Sequence, residues 1–552
     1  MPIEQSFNKL RPGGDELSEK TRQPKASFSG WRAPVAIGII IAASVLAYHN
    51  SLQGPFIFDD FESIVDNQTI RHLWPLREVL SPPGGWMAIQ NRPIVNLSLA
   101  INYAIGDLDV LGYHFFNLVV HILATLTLFG IIRRTLRLPV VPESIAAGAA
   151  PMALISALIW TVHPLQTEAV TYIIQRTESM MGLFYLLTLY CAIRGAGASS
   201  PGRWYLAAVA ACTLGMGTKE TMVSVPLVVL VYDRVFLARS FREVFHRRWP
   251  LHVGLAATWG LLSALVIPSG GRSILLGYGY WEALRSYIPM QFSNIVHYLR
   301  LSFWPHPLIM DYGVVPVGKV ELNVLHVIIV VVVLAGALAA FRYKPHFGFL
   351  GLWFFAILAP SSSIMPLLIQ PAAEKRMYLP LAAVIVAVVV CAYAIGRRVV
   401  NRPADSKIQA TAAGWLVGIG LVAIVVLILG YLTVVRNHDY RSEFAIWDDT
   451  IAKNPHNWRA FANRGYARAR GSDYDLAMGD YTEAIRRLKR ISRPSSHFHR
   501  REAHLHRHRA VTYSALGQYE KAWADVATCR RLGGTVRPDF LAILRKVSGR
   551  QE

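Results

Sequence analysis

Charge is scarce in this sequence, and acid is scarcer than base. Only 16% of its 552 residues are Asp, Glu, Lys or Arg, where a soluble chain carries about a quarter. With 53% hydrophobic residues, this excludes an ordinary soluble domain and leaves a polytopic membrane protein. Cysteine is nearly absent: Cys191, Cys212, Cys391 and Cys529 are the four. The first three lie in apolar runs and none forms a CxxC, so no disulfide framework organises the fold. Acids number 35 against 56 Lys and Arg, a formal net charge of +21. Beside membrane spans such an excess sets orientation and attracts anionic lipid. No zinc-finger spacing or basic-aromatic pattern points to nucleic acid as a partner. A cleavable signal's short leading region is also missing. Residues 1–32 instead carry Lys9, Arg11, Lys20, Arg22, Lys25 and Arg32 among Gly, Ser and Pro. They read as a disordered basic cytoplasmic tail, followed by a retained first span.

Apolar runs follow near 33–49, 113–132, 146–162, 177–194, 204–217, 220–237, 251–268, 320–341, 346–362, 377–396 and 411–434. Basic clusters fall at alternate ends: Arg133-Arg134, Arg194 with Arg203, Arg234 to Arg248, Arg342 with Lys344, and Arg397-Arg398 with Arg402. This predicts about eleven spans, with the N-terminus inside and the C-terminal domain outside. The stretch from Trp281 to Arg300 is too interrupted for a span and reads as a loop plus a helix lying at the interface.

From 436 the composition turns to that of soluble helices. Phe461, Gly465, Tyr474, Ala477, Tyr481 and Ala484 fit a 34-residue helix-turn-helix unit. Ala510, Tyr519, Ala522, Val526 and Cys529 repeat it, with Tyr513 standing where the first unit has Arg468. The pair reads as tetratricopeptide repeats, a protein-binding platform, and the segment Ser442 to Pro455 reads as a half-repeat joining them to the last span. The predicted architecture is all-α: a tail over 1–32, a multispan membrane domain over 33–435 and a repeat α-solenoid over 436–552.

Polar clusters interrupt the apolar pattern at the expected outer face. The first loop holds Asp59-Asp60 within Gly54-Pro-Phe-Ile-Phe-Asp-Asp-Phe61, and then Asn91-Arg92-Pro93. Further on come His163 and Glu168, Arg176 and Glu178, Lys219-Glu220, Asp311, and Glu374-Lys375-Arg376. Ionisable groups at membrane level are costly and mark candidate sites. Each cluster also admits a structural reading, as an ion pair, a cap or a kink. Gathered on one face, they suit sugar transfer from a polyprenyl phosphate. A carboxylate takes the acceptor's proton in one inverting displacement. Cations meet the charge growing on the lipid phosphate. Asp60 is the preferred base, with Asp59 orienting the acceptor and Phe58 and Phe61 buried against the bundle. Arg92, Arg176, Lys375 and Arg376 are the phosphate candidates, and His163, Glu168, Glu178, Lys219, Glu220, Asp311 and Glu374 the supporting polar set. A divalent cation is compatible with this chemistry, but no residue is assigned to one. The histidines His497, His499, His504, His506 and His508 alternate with Arg as a solvated basic face does, which disfavours a metal site.

Read in order, several segments together resemble the transmembrane and tetratricopeptide repeat O-mannosyltransferases. They are Phe-Ile-Phe-Asp59-Asp60, Asn91-Arg-Pro, Gly112-Tyr-His114-Phe-Phe-Asn117-Leu-Val-Val-His121, His163-Pro-Leu-Gln-Thr-Glu-Ala-Val, Lys219-Glu220, Pro305-His-Pro-Leu-Ile-Met-Asp311-Tyr, Glu374-Lys-Arg-Met-Tyr-Leu-Pro, and Ser442-Glu-Phe-Ala-Ile-Trp447 with Asn454-Pro455. The resemblance covers roughly 35–530. It implies the C-type glycosyltransferase fold, a polyprenyl-phosphate-linked sugar, a Ser/Thr protein acceptor, and the first-loop acidic pair as catalytic. The short repeat array departs from the long arrays of eukaryotic relatives and suits a bacterial inner-membrane relative, or an endoplasmic reticulum protein if the source is eukaryotic. The competing reading is a repeat-bearing scaffold or a transporter of lipid-linked sugar. Such a protein would spread acids through several spans, whereas here they concentrate at one face.

Overall fold

A computed structural model describes residues 32–82, 88–267, 279–314, 322–364, 366–400, 407–490 and 496–550. Among these the regular structure is helical throughout, with no strand. The basic tail falls outside the described residues.

Eight helical stretches are long and apolar enough to cross a membrane. They are Ala33–Ser51, Val110–Thr135, Ile173–Ala196, Phe241–Val266, Val324–Tyr343, Pro345–Ser363, Pro380–Arg398 and Leu416–Asp439. The other three expected passes are the shorter helices Ala149–Thr161 and Pro201–Met216, and Val225–Tyr232 extended by a π-turn to Leu237. Their ends sort into two layers. At one end His114 Nε2 meets the carbonyl of Gly54 at 2.9 Å, Arg92 pairs with Glu220 at 3.2 Å, and Lys375 pairs with Glu168 at 3.2 Å. At the other end Asp233 takes Arg248 and His252, at 2.6 and 2.9 Å. Arg397 there donates to the Ser144 carbonyl. We call these the acidic-loop end and the basic end. Between them a continuous core packs Trp160, Tyr185, Met216, Trp353 and Tyr378.

The region around Trp281 differs from the expected loop plus helix. It is one 24-residue helix, Tyr280–Phe303, despite Pro289 in its interior. Asn294 donates to the Pro371 carbonyl at 2.9 Å, and the Ser302 carbonyl lies 3.3 Å from His163 Nε2. The helix therefore stays with the acidic-loop end along its length and lies across it.

After the last pass come the helices Glu443–Lys453, Trp458–Arg470, Tyr474–Lys489, Ser496–Ala515, Tyr519–Arg531 and Pro538–Ser548. Most residues expected at contact positions are buried in both pairs, namely Phe461, Ala477, Tyr481 and Ala484, then Ala510, Ala522, Val526 and Cys529, while Tyr474, Tyr513 and Tyr519 are half-buried. Gly465 has to be small, because a Cβ there would sit 2.9 Å from the Tyr481 ring. Arg464 with Asp480 and Arg509 with Asp525 are the same bidentate pair, sixteen residues apart in each unit. Arg468, the departure from the pattern, also donates to Asp480, at 2.7 Å.

Candidate active site

The first loop turns sharply before its two aspartates. Phe58 takes φ 44, a left-handed conformation that an aromatic residue adopts only under strain. The loop is held from both sides. On the membrane side Tyr172 Oη accepts from the Asp59 amide at 2.9 Å. On the other side Glu443 Oε1 accepts from the Phe58 amide at 3.4 Å, and Trp447 meets the Phe58 ring edge-on at 5.3 Å. Arg470 pairs with Glu443 and lies over the Phe61 ring at 3.7 Å. The two phenylalanines thus serve the C-terminal helices, and Phe58 stays 38% exposed, instead of both being buried in the bundle as expected.

The two aspartates have different surroundings. Asp60 is fully buried; its Oδ2 accepts from the Ile57 amide at 3.0 Å and its Oδ1 from the Ile174 amide at 2.8 Å. Burial pushes its carboxyl well above the usual carboxylate range, against the pull of those two amides. With no exposure and one backbone amide on each oxygen, Asp60 is placed to fix the loop, which runs against the expectation that it is the base. Asp59 is partly exposed and is the carboxylate of the pair that a substrate can approach.

The four phosphate candidates divide in the same way. Arg176 is fully buried, with Nη1 on Asn102 Oδ1 at 2.6 Å and Nη2 on the Tyr113 carbonyl at 3.1 Å. Arg376 is 7% exposed and donates to the carbonyls of Pro371, at 2.8 Å, and Gln370. Both guanidiniums are held by several protein partners. Arg92 and Lys375 belong instead to a cluster with Lys219. The pairs are Arg92 with Glu220 at 3.2 Å, Lys219 with Glu178, and Lys375 with Glu168 at 3.2 Å. The three cationic side chains keep 7%, 14% and 12% exposure. Arg92 and Lys375 both lie within electrostatic range of Lys219. Burial lowers the Lys219 ammonium's pKa, with Glu178 opposing. These six charged groups come from five turns or helix ends, Lys219 and Glu220 being neighbours, and together they are formally neutral.

The remaining candidates are structural. His163 caps the turn Pro164–Gln166, its Nδ1 accepting from the Leu165 amide at 3.2 Å. Asp311 leaves the polar set for the domain junction, where Arg459 Nε donates to its Oδ2 at 2.8 Å. Glu374 accepts from the Ile309 amide and from Tyr312 Oη at 2.9 Å, and lies 3.9 Å from Arg436. It therefore does not pair with Arg376. Among the described residues no group of three or more His, Cys, Asp or Glu is arranged to hold a metal ion. His506 gives its ring to Asp525 at 2.7 Å, and the side chain of His497 lies outside the described residues.

Comparison with known proteins follows the same residues. Positions 91–267 match the family model described as dolichyl-phosphate-mannose-protein mannosyltransferase. The mouse protein O-mannosyl-transferase TMTC3 is 22% identical over 497 residues, covering 81% of this chain and 50% of that protein. Human TMTC1 is 25% identical over 510 residues, 82% of this chain and 54% of that one. The chain is thus similar in sequence, over most of its length, to protein O-mannosyl-transferases. It spans about half the length of those curated relatives. Among solved structures, ArnT from Cupriavidus metallidurans bound to undecaprenyl phosphate aligns with a TM-score of 0.44 and 13% identity, over 78% of this chain and 80% of that one.

The segment matched by the family model includes Arg92, Glu168, Glu178, Lys219 and Glu220 but begins after Asp59. Sequence reasoning missed Tyr172, Glu443, Trp447, Arg470 and Arg436. Arg436 bridges Asp439, Asp449 and Glu374, at 3.0, 2.9 and 3.9 Å. It was visible as a lone guanidinium closing a long apolar run. Glu443 and Trp447 lay inside a segment already noted as family-like, but nothing local linked them to a loop almost four hundred positions earlier.

Proposed function

We propose that this chain is a membrane glycosyltransferase that moves a mannose-like sugar from a polyprenyl-phosphate donor to a protein Ser/Thr hydroxyl. The reading is supported above all by one juxtaposition: Asp59 is presented by a doubly held loop at the end of the bundle where three cations are interleaved with carboxylates. Tyr172 lies within electrostatic range of both Asp59 and Glu168, which joins the two halves of the site. Asp59 takes the proton from the acceptor hydroxyl as its oxygen bonds to the anomeric carbon. The bond from that carbon to the phosphate oxygen breaks, and the phosphate leaves with the electron pair. Lys375, Lys219 and Arg92 meet its growing charge, and apolar faces between passes take the prenyl chain. Asp60 fixes the loop and does not touch substrate. By the positive-inside rule the basic end faces the cytoplasm and the acidic-loop end lies outside, in a bacterial inner membrane. The C-terminal helices, read as tetratricopeptide repeats, would bring the acceptor.

The test is to incubate purified protein with a panel of polyprenyl-phosphate sugars and an acceptor peptide, following donor consumption. Asp59→Asn is expected to bind donor normally and to transfer at least roughly a hundredfold more slowly. Near-normal transfer by Asp59→Asn would remove the mechanism.

A further inference from the structure

One groove of the molecule lies away from the acidic loop. A cavity of about 570 Å³ opens at the basic end, between Leu128 to Val141 on one side and Phe349, Ala383 and Val390 on the other. No carboxylate lines it, so it holds no general base, and we do not assign the transfer reaction to it. Its walls are almost wholly hydrocarbon, while its edge carries Lys344, Arg397 and Arg398. The polar groups along the edge are unequally satisfied. Thr135 and Tyr232 bond each other at 2.7 Å, and Arg397 donates to the Ser144 carbonyl. His346 Nε2 is buried at the groove and has no hydrogen-bond partner among the described residues. A buried polar nitrogen without a partner is costly, and native structures rarely leave one.

We infer that this groove is a binding site for one anionic glycerophospholipid of the phosphatidylglycerol class. One acyl chain fills the apolar channel, and the headgroup phosphate lies among Lys344, Arg397 and Arg398 with an oxygen on His346. Three observations meet in this assignment. The volume is of small-ligand size, the walls suit a hydrocarbon chain, and the rim carries Lys344, Arg397 and Arg398 with no carboxylate among the described lining residues. A basic residue beside an anionic membrane surface is worth about 1 kcal/mol. Three of them give a preference over a zwitterionic lipid of roughly ten- to a hundredfold. The site is independent of the transfer reaction and would stand if that reading fell.

The experiment uses the full-length, delipidated protein and native mass spectrometry, titrated with phosphatidylglycerol or with phosphatidylcholine of the same acyl chains. Wild type is expected to retain one phosphatidylglycerol at least roughly tenfold more strongly. The triple variant Lys344→Gln, Arg397→Gln, Arg398→Gln should bind both lipids alike. If it fails to fold, Arg398→Gln, at an exposed position, should still lose part of the preference. Ala394→Trp puts an indole into the groove and keeps every charge, and it should lose the bound lipid. Equal retention of the two lipids by wild type would overturn the inference. So would a preference that survives in the charge variants, or phosphatidylglycerol binding undiminished in Ala394→Trp.

Discussion

Asp59 and Asp60 are one residue apart and chemically identical, yet one is partly exposed and the other fully buried. The difference lies in the Ile174 amide, 114 positions from Asp60, which fills its second oxygen. Composition made the pair legible as a site; it could not assign the roles, because the deciding partner is remote. The same holds for Arg176 and Arg376, whose carbonyl and amide partners no local pattern reveals. Glu374 offers a test at this scale. It is fully buried in the turn before Pro380, and burial pushes its pKa up to about 7 from the usual 4.5. An acid whose folded pKa is raised contributes its full stability below the unfolded value, and that contribution is lost as pH rises through the folded one. Wild type should therefore lose up to about 3 kcal/mol between pH 4.5 and 7 from this group. Glu374→Gln should flatten that part of the curve when melting temperature is followed against pH. A parallel decline in both proteins would show that another group carries it.

Elements were more legible than side chains. The apolar runs became helices because burial of periodic hydrocarbon dictates them wherever the backbone must satisfy its own hydrogen bonds. The 280–303 helix was harder to see, since Pro289 and its polar face break the apolar run while the backbone continues through. The first loop is the element on which the proposed chemistry depends. Its geometry rests on Glu443 and Arg470, which hold the Phe58 amide and the Phe61 ring from outside the bundle. Arg470→Gln should therefore lower kcat by about tenfold, since small misplacements of a reacting group cost up to about a hundredfold. KM for the lipid donor should stay unchanged, because the cation cluster is untouched. Faster amide exchange across 54–61 should accompany the loss. An unchanged kcat would show that the bundle alone fixes the loop.

At the scale of the whole molecule, the membrane passes and the C-terminal helices meet through buried polar contacts. Asp311, 6% exposed, holds Arg459, and its carbonyl accepts from Asn457 at 2.9 Å. Lys453 donates to the Leu308 carbonyl at 3.0 Å, and Asn454 to that of Tyr312 at 3.1 Å. Arg459→Gln leaves a buried carboxylate without its ion, a change that typically costs about 3–5 kcal/mol. It should loosen the junction first, so that limited proteolysis near 454–458 quickens while the bundle stays intact. Asp311→Asn, which removes the charge along with its need for a partner, should cost less. Protection equal to wild type in Arg459→Gln would mean that the apolar contacts suffice. Periodicity predicted about eleven passes, and eight helices among the described residues are long and apolar enough to cross a membrane. The seam was not readable in this way, since Asp311 looked like one more acid on the catalytic face.

The loop that carries Asp59 belongs to neither half. Tyr172 of the bundle and Glu443, Trp447 and Arg470 of the C-terminal helices each hold one side of it. A chimaera that joins this bundle to another protein's repeats would thus arrive with its catalytic loop half unsupported. The exchangeable unit is not the repeat array but the array from Tyr474 onward, with 443–470 inherited alongside residues 58–61. Under the proposed function, a change of acceptor specificity would be grafted beyond that point, with everything before it kept together with the first loop.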